Sequence, residues 1–444
     1  MKGILTAIVI GGLFWALSLM IFTMQHAILI GLVAFLVTLW TNEALPLGAV
    51  SILPIILFPT FGILETNEVT QNYSKSIIFL FIGGFMLAIA VEKIGLHKYF
   101  SAKLLSYFPN TPRGIIYALA ITSALLSSIL MNTTITLMLM PVALFLSENV
   151  RLKVRFLLAL AYGASVGGTI TPIGTAPNLI LLGFLDDKGL PTLQFGEWIV
   201  VMLPVAMLML IIVPWVLSLG VSEETVDGVS DTIPKLNTTQ KRLYGIIAFL
   251  AIILVANTFT KQLFGFALNE RLILLGFGLL MFVPKIGFLD WEDTRVMPYE
   301  IIFLFGAGFS IAAAVSSSGL ASEIAEHLNA ITSLPLFFML IVVALFVTFS
   351  TEVTSNTALT SIAIPIFYEF SQGMPGNEGM LVLLVATIAA SYAFMLPIAT
   401  PPNAIVMSSK VIHIKEMASI GFKLNLIGVI VLSFVAYFVW RFFI

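Results

Sequence analysis

The chain carries two copies of one apolar segment, 224 residues apart. The 20 residues from Ile77 onward are identical at 12 positions to the 20 residues from Ile301 onward. The same offset places Asn132 on Asn356. Apolar bias explains chance matches of leucine and isoleucine, but it does not explain polar residues that recur in one register. A duplicated apolar chain with polar residues deep inside it is typical of a secondary transporter whose site lies between the repeats.

The composition predicts an α-helical membrane protein that crosses the bilayer several times. Hydrophobic residues make up 59% of the chain and charged residues 10%, with a mean hydropathy of +1.07, whereas soluble domains have about 25% charged residues. The net charge of −2 gives no indication of a nucleic-acid partner. The absence of cysteine excludes disulfides, thiolate metal sites and thiol redox chemistry, and the four histidines have no metal-ligand spacing.

Eleven apolar stretches, bounded by polar residues or by Pro and Gly, are predicted to span the bilayer. They lie at 3–22, 26–40, 46–61, 76–105, 155–186, 197–219, 241–260, 270–288, 298–327, 380–409 and 418–442. A single lysine precedes the first stretch, and no small-residue cleavage site follows it. Residues 1–24 are therefore predicted to be an additional, retained transmembrane helix rather than a signal peptide.

Two further apolar stretches, at 114–149 and 334–370, are interrupted at their centres by polar islands around Asn132 and Asn356. The arms on either side of the islands have on average about 16 residues, fewer than the roughly 20 that a crossing needs. Both stretches are predicted to be re-entrant hairpins, because irregular backbone is tolerated at membrane depth only where protein or water surrounds it. The expected fold is an all-α polytopic membrane protein with eleven transmembrane helices plus two re-entrant hairpins.

The basic residues predict the orientation of the chain. With these spans, 16 of the 21 lysines and arginines fall on one side, which the positive-inside rule identifies as the cytoplasm of a cell-membrane protein. The N-terminus is then cytoplasmic and the C-terminus outside. Five crossings separate the start of the span at 76–105 from the start of its copy at 298–327. The second copy therefore enters from the opposite face, and the chain is an inverted repeat of five plus five spans.

The repeat also predicts the domain boundaries. The first half, residues 25–222, contains spans 26–105, the hairpin 114–149, the broken span 155–186 and the span 197–219. The second half, residues 241–444, contains spans 241–327, the hairpin 334–370, the broken span 380–409 and the span 418–442. Residues 223–240 are expected to form a cytoplasmic linker between the halves.

Four polar islands predict breaks near the middle of the membrane: the two hairpin tips, Thr169–Thr175 and Pro397–Pro401. A helix that starts at such a break presents free N–H groups and the positive end of its dipole, which suit an anion. A helix that ends there presents carbonyl oxygens, which suit a desolvated cation. Side chains of Asn, Ser and Thr can complete either cluster. The islands therefore predict a sodium-coupled anion carrier whose site needs no buried charged residue.

These islands resemble the paired signatures of the divalent-anion:sodium symporter family, which includes sodium/dicarboxylate (INDY-type), sodium/citrate and sodium/sulfate carriers. The motifs that carry the resemblance are Asn132-Thr133, Ser355-Asn356-Thr357, Gly174-Thr175-x-Pro177-Asn178 and Ala399-Thr400-Pro401-Pro402-Asn403. The likeness covers essentially the whole chain after the first span. It implies a homodimer in which a scaffold domain, with spans 26–105 and 241–327, stays fixed while a transport domain moves as an elevator.

The resemblance also implies the roles of individual residues. Substrate carboxylates would contact Asn132, Thr133, Thr175, Ser355, Asn356, Thr357 and Thr400. The first sodium ion would be bound at Ser127, Met131, Asn132 and Gly174, and the second at Thr351, Thr354, Asn356 and Ala399. The chain departs from the family at Met131, where the family has serine, so only the backbone oxygen of Met131 is available to the cation. Sodium is the implied coupling ion, and no organic cofactor is expected.

The expected function is sodium-driven transport of a small dianion, with C4-dicarboxylates such as succinate, malate and fumarate as the first candidates. A sodium/sulfate symporter and a sodium-independent dicarboxylate exchanger are alternatives, and Met131 favours the exchanger. An anion channel would need a continuous polar pore, whereas the islands are discrete. An enzyme is not expected, because no nucleophile and base or metal set is recognisable. Glu352, three residues before the second tip, either serves proton coupling or cation attraction, or caps the hairpin or reaches a water-filled vestibule.

Overall fold

The computed structural model describes residues 2–221, 235–264, 268–327, 334–372 and 374–444. Within these ranges the chain is helical and contains no β-strand. Six helical stretches are long and apolar enough to cross a membrane, and six shorter apolar helices of 10–17 residues accompany them in the described part of the chain. The protein is therefore a multi-pass membrane protein. Most of the predicted linker, 223–240, lies outside the described residues.

The helices of the first half precede residue 222. They are α1 Lys2–Ser18, α2 Met24–Asn42, α3 Leu47–Ile52, α4 Pro54–Thr60, α5 Thr66–Asn72, α6 Ser76–Ile94, α7 Leu96–Leu105, α8 Pro112–Ser127, α9 Asn132–Phe145, α10 Val150–Gly168, α11 Ala176–Asp187 and α12 Phe195–Ser218.

The described helices of the second half follow in a similar order. They are α13 Thr238–Phe264, α14 Glu270–Leu280, α15 Tyr299–Ser317, α16 Leu320–His327, α17 Leu336–Thr351, α18 Asn356–Ser371, α19 Glu378–Ala389, α20 Pro401–Ser408 and α21 Ile414–Phe438. Short 3-10 helices lie at Trp291–Val296 and Trp440–Phe442.

Two of the predicted spans, 76–105 and 298–327, are each divided into two helices by a glycine. Gly95 separates α6 from α7 with a φ of 70°, and Gly319 follows α15 with a φ of 80°. Glycine adopts this left-handed conformation without the steric cost that a Cβ imposes. The two glycines are 224 residues apart, so the division belongs to the repeat. The sequence analysis did not predict these breaks, because a single glycine in an apolar run is a weak signal.

A buried helix lies at the centre of each half, and the arms of a polar-tipped helix pair pack against it. In the first half α10 contacts both α8 and α9, and in the second half α19 contacts both α17 and α18. Small residues allow the closest approach: a Cβ on Gly163 would lie 2.3 Å from the Ala120 carbonyl oxygen, and one on Gly167 would lie 2.2 Å from that of Ala124. Glycine at these two positions lets the backbones of α8 and α10 touch.

Candidate functional site

Both tips and both helix breaks meet at a cavity of about 790 Å³. All seven residues predicted to contact substrate line this cavity: Asn132, Thr133, Thr175, Ser355, Asn356, Thr357 and Thr400. The facing wall comes from the end of α2 around Trp40, from α6 and from α15. One wall of the cavity is therefore formed by the tips and breaks, and the opposite wall is formed by α2, α6 and α15.

Four helices begin at the wall of this cavity. Their N-cap residues, all of which line it, are Met131 for α9, Thr175 for α11, Ser355 for α18 and Thr400 for α20. The backbone is extended at each N-cap, and no side chain caps α9, α11 or α18. Uncapped N–H groups at a helix start carry partial positive charge. Three uncapped starts, together with the start of α20 that Thr400 caps, give the cavity the polarity that an anion requires.

The helix starts at the tips and at the breaks offer different hydrogen-bond donors. At the tips, α9 and α18 begin with residues that retain their N–H groups. At the breaks, Pro177, Pro401 and Pro402 have no N–H group to donate. At the breaks, the hydroxyl groups of Thr175 and Thr400 can then donate hydrogen bonds into the cavity in place of the missing N–H groups. Thr400 Oγ1 accepts the N–H of Asn403 at 3.4 Å, which leaves the hydroxyl hydrogen free to donate.

The residues predicted for the first cation site lie together at the first tip. Ser127 Oγ, which is fully buried, donates to Asn132 Oδ1. A Cβ built on Gly168 would lie 3.1 Å from Asn132 Oδ1 and 3.1 Å from the Gly174 carbonyl oxygen, so these two oxygens approach the same point. Met131 lines the cavity, but its side chain makes no capping hydrogen bond.

The second tip repeats this arrangement with threonine in place of serine. Thr351 Oγ1 lies 2.6 Å from Asn356 Oδ1 and 3.0 Å from the Ala390 carbonyl oxygen, both of which accept its hydroxyl hydrogen. Thr354 Oγ1 donates to the Ser350 carbonyl oxygen at 2.9 Å, and Thr354 and Asn356 line the cavity. Ala399 lines it too. At both tips, therefore, the side-chain oxygen of an asparagine accepts a hydrogen bond from a buried hydroxyl group.

Two asparagines hold the helix breaks in shape. Asn178 Nδ2 donates to the carbonyl oxygens ten and seven residues before it, at 3.1 and 2.9 Å. Asn403 Nδ2 donates to the carbonyl oxygens ten and seven residues before it, both at 3.0 Å. Both side chains are fully buried. The sequence analysis noted both asparagines in the motifs but did not assign this role, and their shared register was the available signal.

Comparison with known proteins identifies the family. The model of a family described as citrate transporter matches residues 33–389, which is most of the chain. The chain belongs to the citrate transporter family. This finding agrees with the predicted resemblance to sodium-coupled anion carriers and with a transporter rather than an enzyme.

Individual relatives of this member of the citrate transporter family are similar over nearly its whole length. The sodium-dependent dicarboxylate transporter SdcS of Staphylococcus saprophyticus is 30% identical over 98% of this chain and 91% of its own length. The protein of the same name from Staphylococcus aureus is 29% identical with the same coverage. In a comparison of folds, the crystal structure of the YdaH transporter of Alcanivorax borkumensis has a TM-score of 0.60 and 14% sequence identity, over 94% of this chain and 98% of that one. That likeness concerns the fold alone.

Polar groups that the sequence analysis did not single out also surround the cavity of this citrate transporter family member. Ser165 and Ser391 line it, and both hydroxyls are buried without a hydrogen-bond partner. Among the described lining residues, Glu43 is the one charged side chain, and it is exposed. Behind the second tip, the buried carboxylate of Glu352 accepts hydrogen bonds from the unwound backbone of the second break. Glu352 therefore binds the break of the neighbouring span, a contact that neither of its predicted roles, proton coupling or cation attraction and capping of its own hairpin or contact with a vestibule, included.

Proposed function

We propose that this protein is a sodium-coupled secondary transporter of small dianions, with C4-dicarboxylates such as succinate, malate and fumarate as its substrates. The observation that carries the proposal is the convergence of four helix starts and two Asn-bearing tips on one cavity. The name of the Staphylococcus relatives, sodium-dependent dicarboxylate transporter, supports both the ion and the substrate class.

The site would hold a dianion with neutral groups. Asn132 and Thr133 at the first tip, and Ser355, Asn356 and Thr357 at the second, are the proposed donors to the two carboxylates. Thr175 and Thr400 would add hydroxyl donors from the breaks. Helix starts favour negative charge by an amount that is modest for each terminus, typically about 0.3–1 kcal/mol at exposed sites. Such terms do not by themselves offset the desolvation of two carboxylates, so bound cations are needed as counter-charges.

Two sodium ions would supply that charge. The first would be bound by oxygen atoms of Ser127, Asn132 and Gly174 and by the Met131 backbone, and the second by Thr351, Thr354, Asn356 and Ala399. Each Asn belongs to both a cation cluster and the substrate set, which would make sodium and dianion binding mutually dependent. This shared residue is a physical basis for coupled transport.

The movement we propose is an elevator. The part that moves would comprise both hairpins, both broken spans and the spans 197–219 and 418–442, and the scaffold would comprise spans 26–105 and 241–327 in an inverted repeat within a homodimer. With the N-terminus cytoplasmic, the end of α2 at Trp40–Asn42 lies on the cytoplasmic side. Because these residues line the cavity, we propose that the site opens inward in this state.

A labelling experiment tests the orientation. Because the chain has no cysteine, Lys153→Cys and Lys188→Cys can each be labelled alone in intact cells with an impermeant maleimide. We expect labelling of Lys188→Cys from outside and of Lys153→Cys only after the membrane is opened. Labelling of both residues in intact cells would contradict the proposed arrangement of spans.

Uptake into proteoliposomes tests the function. Labelled succinate, citrate and sulfate are supplied with and without an inward sodium gradient, and we expect sodium to accelerate succinate uptake most. Faster sulfate than succinate uptake would support a sulfate symporter, whereas sodium-independent uptake that needs internal dicarboxylate would support an exchanger.

Asn356→Ala should abolish sodium-driven uptake while the protein stays folded, and Asn67→Ala, at an exposed position in α5, is the control. Near-normal uptake by Asn356→Ala would refute the role of the tip.

A further inference from the structure

Glu352 has a buried carboxyl group that the proposed site does not yet use. The residue is 3% exposed, and both carboxylate oxygens accept N–H groups. Oε1 accepts from Met395 N at 2.9 Å and from Asn425 Nδ2 at 2.7 Å, and Oε2 accepts from Leu396 N at 2.9 Å. Among the described residues, no lysine or arginine forms an ion pair with it. The carboxylate is therefore held by N–H dipoles and not by a cationic side chain.

These contacts fix the turn that carries Ala399. Leu396, whose N–H donates to Glu352, accepts the N–H of Ala399 at 3.2 Å and the Asn403 side chain at 3.0 Å through its carbonyl oxygen. Glu352 therefore determines where the backbone of Leu396 lies, and Leu396 in turn determines where Ala399 lies. Ala399 is one of the residues proposed to bind the second cation, and Thr351, another of them, precedes Glu352 in the chain.

The first half makes the same connection with neutral groups. Ser128 occupies the position equivalent to Glu352, and its backbone carbonyl accepts the hydroxyl hydrogen of Thr171. Thr171, the equivalent of Leu396, accepts the N–H of Gly174 at 3.3 Å. The turn at the first break is therefore tied to its tip without any charge. The two proposed cation sites differ in this respect although the surrounding hydrogen bonds repeat.

We propose that Glu352 is a positioning residue of the second cation site and that its charge makes this site bind sodium more tightly than the first. The proposal rests on the sodium-coupled function above. A negative charge close to a buried cation site stabilises the bound cation, because the low effective dielectric constant of the interior strengthens their attraction. The first tip has the neutral residue Ser128 at the position equivalent to Glu352, and it has Met131 where the family has serine. Sodium should therefore fill the second site at the lower concentration.

The main variant is Glu352→Gln, which removes the charge with little change in size and replaces one of the two accepting oxygens by an amide nitrogen that cannot accept an N–H. Sodium binding is measured in detergent as the rise in unfolding temperature with increasing sodium, and succinate uptake is measured at saturating sodium. We expect the sodium concentration for half-maximal stabilisation to rise about tenfold, equivalent to about 1.4 kcal/mol. The succinate concentration for half-maximal uptake at saturating sodium should stay within about twofold, since a positioning residue for the cation does not contact substrate.

Glu369→Gln is the matched control. It is the same change in the same hairpin, 13 residues along α18 from Asn356, which is about 20 Å at the helical rise of 1.5 Å per residue. This control should leave the sodium dependence unchanged. An equal response of Glu352→Gln and Glu369→Gln would overturn the inference, whereas a sodium-independent parent protein would overturn the proposed function itself.

Glu352→Asp decides the matter if Glu352→Gln does not fold. Aspartate keeps the charge but shortens the reach to Leu396, so sodium affinity should fall severalfold while sodium still stabilises the protein. Unchanged sodium affinity in Glu352→Asp would count against positioning. A different outcome would also overturn the proposal: uptake driven by a proton gradient without sodium, and lost in Glu352→Gln, would make Glu352 a proton carrier.

Discussion

Asn178 and Asn403 stand at equivalent positions of the two halves, 225 residues apart, and make the same pair of hydrogen bonds. Each donates through Nδ2 to the carbonyl oxygens ten and seven residues earlier, at distances between 2.9 and 3.1 Å. The bonded carbonyls belong to the last residue of α10, Gly168, and to the unwound backbone at the two helix breaks. A membrane interior offers no water to these carbonyls, so the side chains supply donors that a continuous helix would have supplied.

Loss of the two hydrogen bonds that each of these asparagines donates should destabilise the protein. We expect Asn403→Ala to lower the free energy of unfolding by about 1–3 kcal/mol, because two buried hydrogen bonds are lost at about 0.5–1.5 kcal/mol each. Asn178→Ala should have a similar effect. Thermal unfolding in detergent, followed by tryptophan fluorescence, measures it. Asn72→Ala is the control, since Asn72 is also buried but makes one bond, to the Glu68 carbonyl oxygen at 3.0 Å. Equal losses in Asn403→Ala and Asn72→Ala would contradict the bracing role.

Much of the helical arrangement and of the cavity lining could be predicted. A polar side chain inside an apolar membrane segment costs free energy unless it contacts another polar group. That reasoning identified the tips at Asn132 and Asn356 and the two breaks. The family resemblance singled out the seven residues expected to contact substrate, all of which line the cavity. The repeat also predicted which residues correspond. The spacing within one motif gives only positions along the chain. The constant offset between the two copies shows which residue of one half corresponds to which residue of the other.

Contacts between distant segments could not be predicted in the same way. Asn425 bonds Glu352 across 73 residues of sequence, and nothing in the local pattern of either residue indicates the other. Ser165 lies in α10 and Ser391 lies in the turn after α19, and neither has a motif around it. The division at Gly95 was also missed, because an apolar run has the same composition whether the helix continues or turns.

Gly168→Ala should damage the first cation site. A methyl group there would lie 3.1 Å from both the Asn132 side chain and the Gly174 carbonyl oxygen, closer than ordinary van der Waals contact, so one of these two oxygens must move. We expect at least a tenfold rise in the sodium concentration for half-maximal uptake, equivalent to about 1.4 kcal/mol, in a protein that still assembles. Gly245→Ala, where a Cβ would meet nothing within 4 Å, should behave as the parent does. Normal sodium dependence in Gly168→Ala would place the cation elsewhere.

Met131→Ser should strengthen sodium binding at the same site. Serine restores a hydroxyl oxygen where the methionine side chain makes no capping hydrogen bond, and such a bond contributes on the order of 0.5–1.5 kcal/mol. The sodium concentration for half-maximal uptake should therefore fall severalfold. Met138→Ser, on the same helix and outside the cavity lining, controls for the loss of a methionine side chain. An unchanged sodium requirement would mean that residue 131 contributes only its backbone and its packing.

Glu43 should weaken the attraction of the cavity for dianions. It is the exposed carboxylate in the described lining and has a left-handed backbone with φ 49°. Removal of its charge in Glu43→Gln should lower the succinate concentration for half-maximal binding to the detergent-solubilised protein about two- to threefold at low ionic strength. The difference should disappear when choline chloride is added to about 0.5 M at constant sodium, because salt screens exposed charges. Glu292→Gln, a change at another exposed carboxylate, should have no such effect, and a salt-independent change in Glu43→Gln would indicate a structural cause.

An ion pair links the end of α11 to the start of α14. Arg271 Nη2 lies 2.7 Å from Asp186 Oδ1, and Nη1 lies 2.9 Å from Asp186 Oδ2, so the contact is bidentate. In the proposed mechanism α11 moves with the site and α14 belongs to the scaffold. The orientation proposed above places this pair on the outer side while the cavity opens inward. The pair would then have to separate or rearrange before the site faces outward.

Arg271→Gln should therefore make the outward-facing state easier to reach. Ile398, which lines the cavity and is 65% exposed, is replaced by cysteine as a reporter, and an impermeant maleimide is added outside intact cells. Because partly exposed pairs contribute at most about 1 kcal/mol, labelling should accelerate by no more than about fivefold. Arg295→Gln breaks an exposed pair with Glu292 within one short helix and should leave the rate unchanged. If Arg271→Gln also leaves it unchanged, the Asp186–Arg271 pair does not restrain the movement.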